Sequence, residues 1–126
     1  MEKPVSHRQR LEICLSGNMP DRVPVALWRH FPVDDQSPDR LAAASLAFQA
    51  QFDFDFIKIT PASSFCLKDW GVQDRWAGNT EGTREYTHHV IQQPEDWTSL
   101  PVLNINSGSL GAQLECLRLL KKAVPS

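Results

Sequence analysis

No stretch of this 126-residue sequence approaches the roughly 18 consecutive apolar residues needed to span a bilayer. The opening residues, Met1 to Arg8, carry no apolar run behind their charges, so no secretory leader is expected. An excess of one charge is also lacking: 13 Lys and Arg stand against 15 Asp and Glu, for a formal net charge of -2. Such a chain has no basic field to neutralise phosphates, and its composition supports neither a nucleic-acid partner nor an anionic membrane surface. Cysteine is sparse. Cys14, Cys66 and Cys116 are odd in number and far apart, which excludes a disulfide framework and a paired-cysteine metal knuckle and makes a reducing cytoplasm the expected compartment. There is no GxGxxG, P-loop, HExxH or Gly-x-Ser-x-Gly text, so nucleotide cofactors have no support, and no metal or other cofactor is expected. Repeats and low-complexity segments are absent as well.

What is present reads as an ordinary globular chain, 41% hydrophobic and 22% charged. Ser6 followed by Gln9 has capping-box spacing, and Gly17 lies where a left-handed C-terminal cap belongs, so a helix is predicted over 7–16 with Leu11, Cys14 and Leu15 as its apolar stripe. After turn residues at 18–21, the run Val23-Pro24-Val25-Ala26-Leu27-Trp28 suits a strand buried on both faces. Ser37 and Pro38 open a helix to about residue 51, with Leu41, Ala44, Ala47 and Phe48 on its packed side. Phe54 to Thr60 then reads as a second buried strand.

Strand, helix, strand with so long a connection predicts a parallel, right-handed unit whose post-strand loops share one edge. A hairpin is expected from 72–76 and 84–91 around Gly78 to Gly82, one helical turn at 94–97, and a final helix from 110 to about 122 with Leu110, Leu114, Cys116, Leu117 and Leu120 inward. Lys121 to Ser126 falls where a third strand would begin, and two parallel strands leave open edges. A fragment is therefore expected, completed by a missing C-terminal part or by homo-oligomerisation.

Asp21-Arg22-Val23-Pro24-Val25-Ala26-Leu27-Trp28-Arg29-His30-Phe31, then Asp53 to Pro61, Lys68-Asp69-Trp70-Gly71 and Pro94-Glu95-Asp96-Trp97, together resemble the N-terminal part of the uroporphyrinogen decarboxylase family. The resemblance covers nearly the whole chain and implies an α/β fold, residues 1–126 forming an incomplete TIM (β/α)8 barrel fragment of about two parallel βα units plus the inserted hairpin. It implies decarboxylation of the acetate arms of a tetrapyrrole without a cofactor. Alternatively it implies methyl transfer from a corrinoid in the zinc-using branch, whose metal ligands would lie outside this chain. Arg29 matches the first arginine of the family's carboxylate-binding loop, although His30-Phe31-Pro32-Val33-Asp34-Asp35 replaces the glycine-arginine continuation. Thr60-Pro61-Ala62 stands where decarboxylases of the family carry an aspartate for the pyrrole nitrogens. The small-molecule partner implied is thus a tetrapyrrole or corrinoid, and the isolated chain is expected to be catalytically inert.

Candidate substrate-binding residues are Arg29, His30 and Lys58. A guanidinium at a strand end can grip a carboxylate with two parallel bonds, or pair instead with Asp34 or Asp35. His30 could carry a proton or serve a structural role. Lys58, inside a predicted buried strand, must reach a carboxylate such as Asp53 or Asp55, a ligand, or the barrel mouth. His88 and His89 are adjacent on a predicted strand and point to opposite faces, so they cannot share a metal. Cys66 reads as a buried, inert thiol. The tryptophans 28, 70, 76 and 97 could line a flat pocket or pack cores.

A non-catalytic product that associates through open sheet edges is the expectation of a different class.

Overall fold

The computed structural model describes residues 4–124. Helix α1 (His7–Leu15) starts as its text requires: the Ser6 hydroxyl accepts from the Gln9 N–H at 3.3 Å, and the Gln9 side chain accepts from the Ser6 N–H at 3.0 Å. Helix α2 (Pro38–Phe52) has proline in its first turn and ends at Asp53, whose φ of 51° lies in the left-handed region. A short helix α3 (Asp96–Ser99) precedes α4 (Gly108–Ala123). The N-terminus of α4 is closed from outside, because the Asp69 carboxylate accepts from the N–H groups of Ser109 at 2.7 Å and Leu110 at 3.0 Å.

The core lies where α2 meets α4. Leu41 and Ala42 pack on Cys116 and Leu120, with Phe31, Leu46, Ile59 and Leu119 around them. Beside it, Phe48 contacts Phe31, Phe52 and Phe54 at ring-centre distances of 4.9 to 6.0 Å. Two sequence-predicted stripes are shifted. On α1 the buried residue is Arg10, while Leu15 is 88% exposed; on α2 the buried residues are Leu41, Ala42 and Ser45.

The α/β fold expected above, an incomplete TIM (β/α)8 barrel fragment with parallel βα units, is corrected. Among the described residues there is one sheet, and it is antiparallel: β1 (Gln73–Arg75) pairs with β2 (Glu85–His88) around the Gly78 to Gly82 turn, with a register irregularity at Gln73/Asp74. Neither 23–28 nor 54–60 is a strand. One backbone hydrogen bond joins them, Asp55 N–H to Val25 C=O at 2.9 Å. A parallel sheet has both faces covered, whereas Val23, Leu27 and Phe56 are 76, 61 and 47% exposed. Among the described residues no further strand flanks either segment, and two segments of this length by themselves gain too little to form a ladder.

Candidate functional site

The joint between these segments is an ion cluster. Asp55 has 1% of its side chain exposed, and every bond to it is charge-assisted or from backbone. Arg22 grips it with both terminal nitrogens, at 2.6 and 3.0 Å; Arg10 Nη1 reaches Oδ1 at 2.6 Å; the Val25 N–H donates to Oδ2 at 2.7 Å. His7 Nδ1 meets Asp55 at 2.9 Å while its Nε2 meets Asp53 at 3.0 Å. Burial pushes the Asp55 carboxyl up, but the bonds from Arg22, His7, the Val25 N–H and Arg10 outweigh it and hold the group far below the usual carboxylate range. The hydrogen bonds to Asp55 and then Asp53 raise His7 above its ordinary value. Arg10 is itself clamped by Asp21 at 2.7 and 2.8 Å.

With the two segments pinned at Val25 and Asp55, the residues three positions on meet as well. The Lys58 ammonium lies 3.7 Å from the centre of the Trp28 ring, and His30 stands edge-on to the same ring at 5.6 Å. Arg29 sits between them in sequence, its Nε donating to the His30 carbonyl at 3.3 Å and its guanidinium 5.4 Å from the centre of the Phe31 ring. Arg29 and Lys58 border one narrow cavity of about 10 Å3, with Leu27, Phe54 and Phe56 also lining it. That volume admits no substrate as it stands. Both cations are exposed.

Sequence reasoning gave Arg29 and Lys58 carboxylate alternatives inside the chain, and the structure assigns those carboxylates elsewhere. Asp34 pairs with Arg40 at 3.0 Å, Asp35 with Arg84 at 3.0 Å, and Asp53 and Asp55 belong to the cluster above. Among the described residues, neither Arg29 nor Lys58 forms a salt bridge. His30 is half-buried, and its Nδ1 has no hydrogen-bond partner among the described residues. Gly82 presses on it so closely that an added Cβ would stand 2.7 Å from the His30 Cβ. That fixes the ring's place against the hairpin.

Thr60 is buried with its hydroxyl unpartnered among the described residues. Cys66 is exposed, a correction to its expected burial; Cys116 is the enclosed thiol, and burial raises its pKa. His88 and His89 are both exposed, and no group of three or more His, Cys, Asp or Glu residues that could hold a metal occurs among the described residues. No helix among them is long and apolar enough to cross a membrane.

The Asp55 cluster escaped sequence reasoning. Its one available signal was Arg10, a charge facing the side of α1 that meets the rest of the chain, three residues after His7. A second buried cluster, in which Arg84 reaches Asp35, Asp74 and the Pro32 carbonyl, ties the hairpin to the 34–36 turn and had no local signal at all.

Comparison with protein-family models, with curated proteins and with solved structures found no match to this chain.

Proposed function

We propose that this chain supplies a carboxylate-binding edge to an enzyme of the uroporphyrinogen decarboxylase type, with Arg29 and Lys58 holding an acidic side arm of a tetrapyrrole and His30 beside them. The observation that carries the reading is that these two cations, unlike the other arginines near them, have no carboxylate partner among the described residues and border the same cavity beside Trp28. A flat, polyanionic ligand suits that arrangement: guanidinium and ammonium take carboxylates, and the indole and phenyl rings give an apolar surface for the macrocycle. The sequence resemblance supplies the substrate class, and catalysis needs polypeptide beyond these residues.

A second reading is favoured by Thr60. A hydroxyl stands where the decarboxylases carry an aspartate, and it cannot provide negative charge to a protonated pyrrole. That substitution fits the corrinoid-dependent methyl-transfer branch. Tryptophan fluorescence titrated with uroporphyrin, and separately with cobalamin, tests both. Saturable quenching by uroporphyrin that weakens at least tenfold in the Arg29→Gln/Lys58→Gln double variant, and not in Arg118→Gln, supports the first reading, each charge-assisted bond contributing about 1.5–3 kcal/mol. Quenching by cobalamin alone supports the second. Equal affinity in all variants refutes the assignment of Arg29 and Lys58.

A further inference from the structure

Helix α1 is held to the rest of the chain by charge rather than by the core. Its buried residue is Arg10, and the apolar cluster between α2 and α4 takes no member from it. Among the described residues, the side-chain bonds that leave α1 for later segments come from His7 and Arg10, which lie one turn apart on the same side of the helix. Arg10 keeps its charge at every ordinary pH and is bonded to both Asp21 and Asp55. His7 is the member of the pair whose charge can change.

The geometry at His7 decides its protonation state. Nδ1 stands 2.9 Å from Asp55 Oδ1, and Nε2 stands 3.0 Å from Asp53 Oδ1. A carboxylate only accepts, so each ring nitrogen must donate, and a neutral imidazole carries one N–H where two are needed. The charges around the ring are Asp53 and Asp55 from the segment that follows α2, and Arg22, which bonds Asp55 as well. On its own helix, Arg10 Nη1 lies 3.5 Å from Nδ1, farther than the carboxylate oxygen, and both cations converge on that same oxygen. Arg8 and Glu12 are exposed and pair with each other.

We propose that His7 is a pH-operated latch for α1: as imidazolium it bridges Asp53 and Asp55 and fixes the helix at the end of α2, and on losing its proton it leaves the helix held by Arg10 alone and loosened. Loss of either ring proton turns a lone pair toward a carboxylate oxygen, and the two repel. Asp53 is the end that lets go, because it is 84% exposed and regains water, whereas the Asp55 side chain is buried among its other donors. The folded ring holds its proton more tightly than the unfolded chain does, so docking is complete below the unfolded value near 6.5 and declines as pH rises through the folded one. The latch concerns α1, and it stands whether or not Arg29 and Lys58 bind an anion.

Amide hydrogen exchange on the full chain from about pH 6 to about pH 8.5, corrected for base catalysis, tests it when the protection of Ile13 to Leu15 in α1 is read against that of Leu119 and Leu120 in α4. The ratio is expected to fall about fivefold over that range, tracking the titration of the His7 ring resonances. His7→Gln should show the lowered ratio at every pH. Asp53→Asn separates a latch from a histidine of merely structural role. Asparagine accepts the left-handed backbone at this position, where φ is 51°, and its amide can donate to the lone pair of the neutral ring. Protection of α1 should then stay high as pH rises, while the midpoint of the ring resonances moves down. A ratio that is constant with pH in the parent overturns the proposal, as does an equal fall in either His7→Gln or Asp53→Asn.

Discussion

Replacing Asp55 with Asn preserves its volume and one acceptor but removes the charge that Arg10, Arg22 and His7 converge on. The new amide would present N–H groups to guanidinium donors, so at least one bond becomes a donor facing a donor. Breaking a buried ion pair from one side costs about 3–5 kcal/mol. Arg22 is 47% exposed and recovers part of its hydration, which places the expected loss at the lower end, about 3 kcal/mol. For a chain of this size 1 kcal/mol moves Tm by about 4 °C, so Tm should fall by about 12 °C. The sign of the pH effect follows from the same contacts. The folded carboxyl is held below its unfolded value, so its contribution is present above the unfolded pKa and disappears as pH falls through the folded one. Thermal and urea unfolding followed by circular dichroism at pH 7 and at lower pH read the Tm and the free energy. A Tm within about 3 °C of the parent, under 1 kcal/mol, would refute the view that Asp55 is the joint between the two segments.

His7 gives the opposite pH dependence: its folded pKa is raised, so its stabilisation is complete below the unfolded value near 6.5 and declines as pH rises through the folded value, and His7→Gln should flatten stability above pH 6 in urea titrations. Leu120→Ala, at a residue 5% exposed in the buried apolar cluster between α2 and α4, should cost about 2–5 kcal/mol in the same assay. A thiol reagent should modify Cys66 rapidly in the native protein and Cys116 only on unfolding, counted by mass spectrometry; fast reaction at Cys116 would contradict its enclosure.

Local chemistry carried the legible part of the fold. The Ser6–Gln9 reciprocal bonds, proline at the start of α2 and the turn between β1 and β2 depend on residues a few positions apart, and the text at 6–9, 37–38 and 78–82 states them. The segments 23–28 and 54–60 failed for a non-local reason. Apolar runs become buried strands only when neighbours cover them, and pattern alone does not reveal whether neighbours are there. The same limit hid Arg10, whose partners Asp21 and Asp55 lie 11 and 45 residues away. Arg29 and His30 were singled out from their place at the end of the first apolar segment and Lys58 from its place inside the second, and Trp28, the ring that His30 and Lys58 both meet, was read only as one aromatic among four.

Lys58 lies 3.7 Å from the centre of the Trp28 ring with no carboxylate partner among the described residues, and the proposed function makes it the cation that takes the ligand's carboxylate. Proton NMR of the Lys58 side chain measures this directly. The account predicts methylene resonances displaced upfield by the indole ring in the free protein, moving downfield as uroporphyrin is added, and returning to ordinary positions in Trp28→Leu. Lysine resonances at their unstructured positions that do not respond to uroporphyrin would contradict it.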